Sequence, residues 1–333
     1  MPPLPAAKPA NPHSVSNIVN RACSIPDAQD TPHRRCVKRS AKHLGQRAIT
    51  CYTGSLNFPE SCALNDSQLT ELKNWFDGYV KGFYGIDKVI DANIELKDQH
   101  TRNTCVEICH IARAMDLSHN DCLIAETVGL LHDLGRFEQF RQYRTFLDAV
   151  SLNHACYSAR LAEQMSLLAE VPADERDIIL SAIRLHNVQA LPQDLSPQML
   201  LHARLIRDAD KIDIYRVFHH YYELFRTDPE SFKANLDLPL TSEFTPSILE
   251  ALVNRRTIDY SQLRTSMDVT LLHLAWVYDI NFVPSLRRIR DRGHLAELSA
   301  SLSEHPGLRA ARAAVFAYVD EKIASGGVIV AEC

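Results

Sequence analysis

Beyond position 65, apolar residues recur along the chain at intervals of three and four. Behind Asp66-Ser67, which reads as an N-cap, Leu69, Leu72, Trp75, Phe76 and Val80 share one helical face. Cys105, Ile108, Cys109, Ala112 and Met115 place a second helix over about 95–115. A third is predicted from Asn120-Asp121 through Ile124, Val128 and Leu131, with Gly135 as its stop. A fourth covers about 151–168. A fifth follows Pro172, with Asp174 as N-cap, and aligns Ile179, Ala182, Ile183 and His186. A sixth spans about 198–225. After a loop from Pro229 to Pro246, helices are predicted near 247–253, 260–279, 283–291, 295–302 and 307–324. No segment sustains the period-two alternation of a strand, and no repeat or heptad run is present, so the class is all-α.

Composition divides the chain in two. Of the 333 residues, 46% are hydrophobic and 23% charged, a globular balance. No apolar run approaches the roughly 20 residues of a membrane helix. The net charge of −5 conceals a contrast: residues 1–65 carry eight cationic side chains against three anionic ones, which leaves −10 for the rest. Those 65 residues also hold eight of the sixteen prolines, and their only aromatics are Tyr52 and Phe58. Such a stretch buries too little apolar area to offset chain entropy. The reading is a disordered, basic, Pro-rich tail over 1–65 and a helical domain over 66–325. The cluster His33-Arg34-Arg35-Cys36-Val37-Lys38-Arg39 suits an anionic partner or a transport receptor, and equally suits a solvated tail. Nine cysteines, an odd number, exclude a complete disulfide framework and point to the cytoplasm. Export or targeting through the Arg-rich tail is the alternative.

The chemistry concentrates in Leu131-His132-Asp133-Leu134-Gly135-Arg136. Neighbouring helix positions lie about 100° apart, so this His-Asp pair reaches one ion only beside its own edge. A helix C-terminus with a histidine at the dipole explains the same residues. Other candidates surround it in order. His100 lies on the preceding helix, His154 in Ser151-Leu152-Asn153-His154-Ala155, and His186 on an apolar face where its ring nitrogens need partners. Arg207-Asp208-Ala209-Asp210-Lys211-Ile212-Asp213 then sets three carboxylates in an apolar stretch.

This ordered set resembles the HD-domain metal-dependent phosphohydrolase superfamily, over about residues 95–220. The resemblance rests on His100, His132-Asp133, His154, His186 and Asp210, in the settings LLHDLGRF, SLNHA, RLHN and LIRDADKID. It implies an HD-type helical bundle with additional C-terminal helices. The histidines between the pair and the last carboxylate mark the two-metal subgroup. By resemblance, His100, His132, Asp133 and Asp210 hold one ion, and Asp133 bridges to a second held by His154 and His186. Imidazole and carboxylate donors suit Fe, Mn, Co, Ni or Zn. His110, on the helix of His100, and Asp208, beside Asp210, stand as alternative ligands. The family's spacing, and the alanine before its last carboxylate, favour His100 and Asp210.

The activity so implied is hydrolysis of a phosphodiester or nucleotide by a metal-bridging hydroxide. Asp133, Arg136 and Lys211 are the catalytic candidates, with Arg136 and Lys211 contacting phosphate. Asp213, one turn past Asp210, orients a ligand. Arg141, Tyr143, Arg144 and Asp148 line the pocket mouth or form a polar loop. Cys105 and Cys109 are core thiols, and His219-His220-Tyr221-Tyr222 packs the far end of its helix. The Gly-Tyr-Pro signature of HD-GYP proteins is absent, which argues against cyclic di-GMP as substrate. Two other readings stand beside this one. Similar scaffolds, such as myo-inositol oxygenase, use the same ligand types as diiron oxygenases. A non-catalytic protein acting through its basic tail is the third.

Overall fold

A computed structural model describes residues 63–227, 238–239, 241–300, 302 and 305–326, leaving aside the side chains of 219–227. Of the tail expected over 1–65, residues 1–62 lie outside the described residues, as does the packing expected of His219, His220, Tyr221 and Tyr222, while Leu64 is buried in the core and Asn65 caps the first helix. The described residues form helices and turns, with one isolated bridge residue at Phe282 and no strand. No helix among them is long and apolar enough to cross a membrane.

The chain runs α1 (Asp66–Lys81), α2 (Lys88–Ala114), α3 (His119–Leu131), α4 (Leu134–Tyr143), α5 (His154–Gln164), α6 (Ala173–Leu185) and α7 (Pro197–Thr227). A C-terminal layer follows: α8 (Pro246–Val253), α9 (Ser266–Ala275), α10 (Val283–Asp291), α11 (His294–Ala300) and α12 (Pro306–Ser325). Helix α2 packs on α3 and α7, α4 on α5, and α6 on α7, so α2 and α7 form the spine of the bundle. One apolar core joins both layers, from Phe76 and Ile108 through Leu205 to Leu286 and Val315.

Local hydrogen bonding moves several predicted boundaries. Asn65 caps α1 in place of Asp66-Ser67, because it closes a reciprocal box with Gln68. Helix α2 begins earlier, where the Asp87 side chain accepts from Val89 and Ile90 N–H. Ser118 caps α3 by accepting from Asp121 N–H, so the helix starts ahead of Asn120-Asp121. Pro172, not Asp174, precedes α6. The segment 260–279 is not one helix: two short 3-10 turns, Tyr260–Gln262 and Trp276–Asp279, flank α9, which Thr265 and Asp268 box at its start.

The largest departure is at Gly135. Helix α3 ends at Leu131, and Gly135 lies in the first turn of α4 instead of stopping α3. A Cβ there would sit 2.8 Å from the His154 carbonyl oxygen and 3.1 Å from Ser158 N. Gly135 N–H donates to Ser158 Oγ at 2.8 Å. The missing side chain lets α4 lie against the start of α5 and brings Asp133 beside His154.

Two buried carboxylates tie the layers together. Asp208 accepts from Asn281 N–H, Asn281 Nδ2 and Phe282 N–H at 2.8–3.1 Å, just ahead of α10. Glu107 on α2 pairs with Arg288 at 2.8 Å and Arg292 at 2.5 Å.

Candidate metal centre

Four helices and one interhelical break deliver side chains to one buried point. His100 comes from α2, His132 and Asp133 from the break between α3 and α4, His154 from the first residue of α5, His186 from the end of α6, and Asp210 from α7. The two oxygens of Asp133 face different partners. Oδ2 lies 3.6 Å from His100 Nε2 and 3.7 Å from His132 Nε2, and Oδ1 lies 3.5 Å from His154 Nε2 and 3.9 Å from His186 Nε2. Asp210 Oδ1 stands 3.1 Å from His100 Nε2 and 3.8 Å from His132 Nε2. Two His/Asp clusters capable of coordinating metal ions result: His100, His132 and Asp133, and Asp133, His154 and His186.

The other ring nitrogens are already engaged. Nδ1–H donates to Asp213 Oδ2 from His100 (2.7 Å) and to the Gly129 carbonyl from His132 (2.8 Å). It donates to Asp148 Oδ2 from His154 (2.6 Å) and to the Ile183 carbonyl from His186 (2.7 Å). These acceptors fix the tautomer and leave an Nε2 lone pair on each ring. The Nε2 atoms of His100 and His132 are buried with no hydrogen-bond partner, and those of His154 and His186 oppose each other at 2.9 Å. The converging imidazole lone pairs leave buried acceptors without donors, a cost that a cation removes. Their mixed imidazole and carboxylate chemistry fits divalent transition metals.

The electrostatics agree. Burial raises the Asp133 carboxyl, but Lys97, His132, His154 and Arg136 outweigh it and hold the group well below the carboxylate range. Asp210 is also pushed up by burial and carried below that range by His100. Burial lowers His132, His154 and His186, the last to about 3, and so keeps them neutral as ligation requires. For His100, burial and Lys97 push downward, while Asp210 and Asp213 raise it further than that.

The alternatives raised by the sequence separate in space. His110 is exposed on α2, away from the cluster. Asp208 faces the start of α10, and burial raises its carboxyl. Of the four residues expected at the pocket mouth, Asp148 reaches the site. Arg141 pairs with Glu138, Arg144 pairs with Asp87, and Tyr143 is exposed. Arg136 Nε lies 3.6 Å from Asp133 Oδ1. Its Nη1 donates to Asp148 Oδ1 at 3.0 Å and to the Phe146 carbonyl. Lys211 Nζ pairs with Asp279 Oδ2 at 2.7 Å, a carboxylate that Arg207 shares. Cys105 and Cys109 are buried free thiols. One participant escaped the sequence reading. Lys97 Nζ sits 2.8 Å from Asp133 Oδ2. Its only signal was helical spacing, three residues before His100.

Residues 98–215 match the HD domain family. This stretch is an HD domain. The matched stretch holds all of His100, His132, Asp133, His154, His186 and Asp210, starts one residue after Lys97, and leaves α8–α12 outside. No curated protein and no solved structure matches the chain.

Proposed function

We propose that the HD domain is a metal-dependent phosphohydrolase acting on a phosphodiester or nucleotide. The observation that supports it most is the division of Asp133, one oxygen toward each histidine pair. In this reading His100, His132, Asp133 and Asp210 hold one ion, and Asp133, His154 and His186 a second. When bound, two divalent ions activate water at neutral pH and neutralise charge at phosphorus.

The chain's own groups do the rest. Asp213, Asp148 and the Gly129 and Ile183 carbonyls keep the imidazole lone pairs turned inward. Arg136 Nε is buried without a hydrogen-bond partner beside Asp133, so it offers an unused donor to a phosphoryl oxygen. Lys211 supplies a second contact by exchanging Asp279 for the substrate's charge. Lys97 neutralises Asp133 when no other cation is present.

Metal analysis of the purified protein, followed by a phosphoester screen, tests this. Hydrolysis that needs added Mn²⁺ or Fe²⁺ and falls about 10²–10³-fold in Asp133→Ala is expected, the loss typical of one electrostatic group at a reacting centre. Oxygen consumption with an organic substrate, and no phosphoester hydrolysis, would replace it with the oxygenase reading.

A further inference from the structure

The two ion positions differ in how their histidines are held. Around the first, the Asp213 carboxylate that orients His100 is fully buried and braced by Arg216 at 2.7 Å. His100, His132, Asp133 Oδ2 and Asp210 all face that position. Around the second, among the described residues, stand His154, His186 and Asp133 Oδ1. The carboxylate that orients His154 is Asp148, whose side chain is 28% exposed.

Asp148 serves several groups at once. Oδ2 accepts from His154 Nδ1 at 2.6 Å and from Asn187 Nδ2 at 3.2 Å. Oδ1 accepts from Arg136 Nη1 at 3.0 Å and from Gln139 Nε2 at 2.9 Å. Gln139 is fully buried and also donates to Ser151 Oγ, which ties the Asp148 turn to α4. Asp148 therefore fixes the ring angle of a second-position ligand while touching no ligand atom that faces an ion.

Resting on the two-ion reading, we propose that Asp148 is a positioning residue that sets occupancy of the second, weaker ion position. Without its negative charge the His154 ring loses its tautomer lock, and among the described residues the second position has no further carboxylate to compensate. Removing an outer partner of a metal-bound histidine typically weakens the metal about 10–100-fold.

The test titrates Mn²⁺ into the metal-free full chain, by calorimetry and by electron paramagnetic resonance. In the wild type, one equivalent should give an isolated-ion spectrum and a second equivalent a spin-coupled one. In Asp148→Asn the first equivalent should bind as before, and the second about 10–100-fold more weakly, with loss of the coupled signal. Asp148→Glu should recover part of it. A coupled signal already dominant at half-saturation of the wild type overturns the proposal, even if the variants fail to fold. So does an Asp148→Asn chain that keeps both equivalents at wild-type affinity. A wild type that binds no Mn²⁺ at all refutes the two-ion reading itself.

Discussion

His154 and His186 face each other through their Nε2 atoms at 2.9 Å, and each ring has committed its Nδ1 hydrogen elsewhere. Two lone pairs are thus opposed in a buried space. A cation between them and Asp133 turns that opposition into attraction. Metal should therefore stabilise the fold: free ion at 100 times its Kd adds about 2.7 kcal/mol. Calorimetry should show a lower Tm after chelation, recovery with Mn²⁺, and a smaller recovery in His186→Ala. An unchanged Tm would sink this account.

Asp208 and Asp210 are two residues apart and should behave differently. Asp208→Ala strips the acceptors from Asn281 and Phe282 N–H ahead of α10. The expected cost is about 1–3 kcal/mol of stability in urea unfolding, with metal content unchanged. Asp210→Ala should show the reverse, a loss of bound metal, since its carboxylate faces His100 and His132.

Gly135→Ala should injure the second ion position from a distance. The added Cβ meets backbone atoms of His154 and Ser158, which cannot swing aside. Separating α4 from α5 should cost about 1–3 kcal/mol. It should also weaken the second equivalent of Mn²⁺ in a binding titration, because Asp133 moves away from His154.

Acid should destabilise the metal-free protein through its buried histidines. Burial pushes His186 and His273 down to about 3, against about 6.5 in an unfolded chain. Between those values the unfolded chain binds protons that the folded chain does not, so stability falls as the pH is lowered, by up to about 1.4 kcal/mol per unit per histidine. His132, His154, His202 and His294 share the direction, and His100, raised by Asp210 and Asp213 against burial and Lys97, opposes it. Urea unfolding from pH 7 to pH 5 should show the decline.

The helical class was legible because most helices carry a stripe of apolar residues, as Leu69, Leu72, Phe76 and Val80 do on α1. The breaks were not legible. Gly135 has the composition of a helix stop, and only the nearness of α5 explains a glycine in a first turn. The histidines stood in order along the chain, but order does not tell which of two carboxylates turns inward. Asp208 and Asp210 both have apolar neighbours, and a partner 73 residues away draws Asp208 off. Lys97 was invisible for a similar reason: a lysine on a helix reads as solvated until the bundle closes over it.

The carboxylates of Glu107 and Asp208 lie inside the family match, yet their partners Arg288, Arg292, Asn281 and Phe282 lie beyond it. The boundary of sequence likeness is therefore not a boundary of folding. A fragment cut at residue 215 would leave two buried anions facing solvent and bare the surface that α10 covers. Evolutionary module and thermodynamic unit have separate edges in this protein, and the second reaches at least to α12, whose Val315 sits in the shared core.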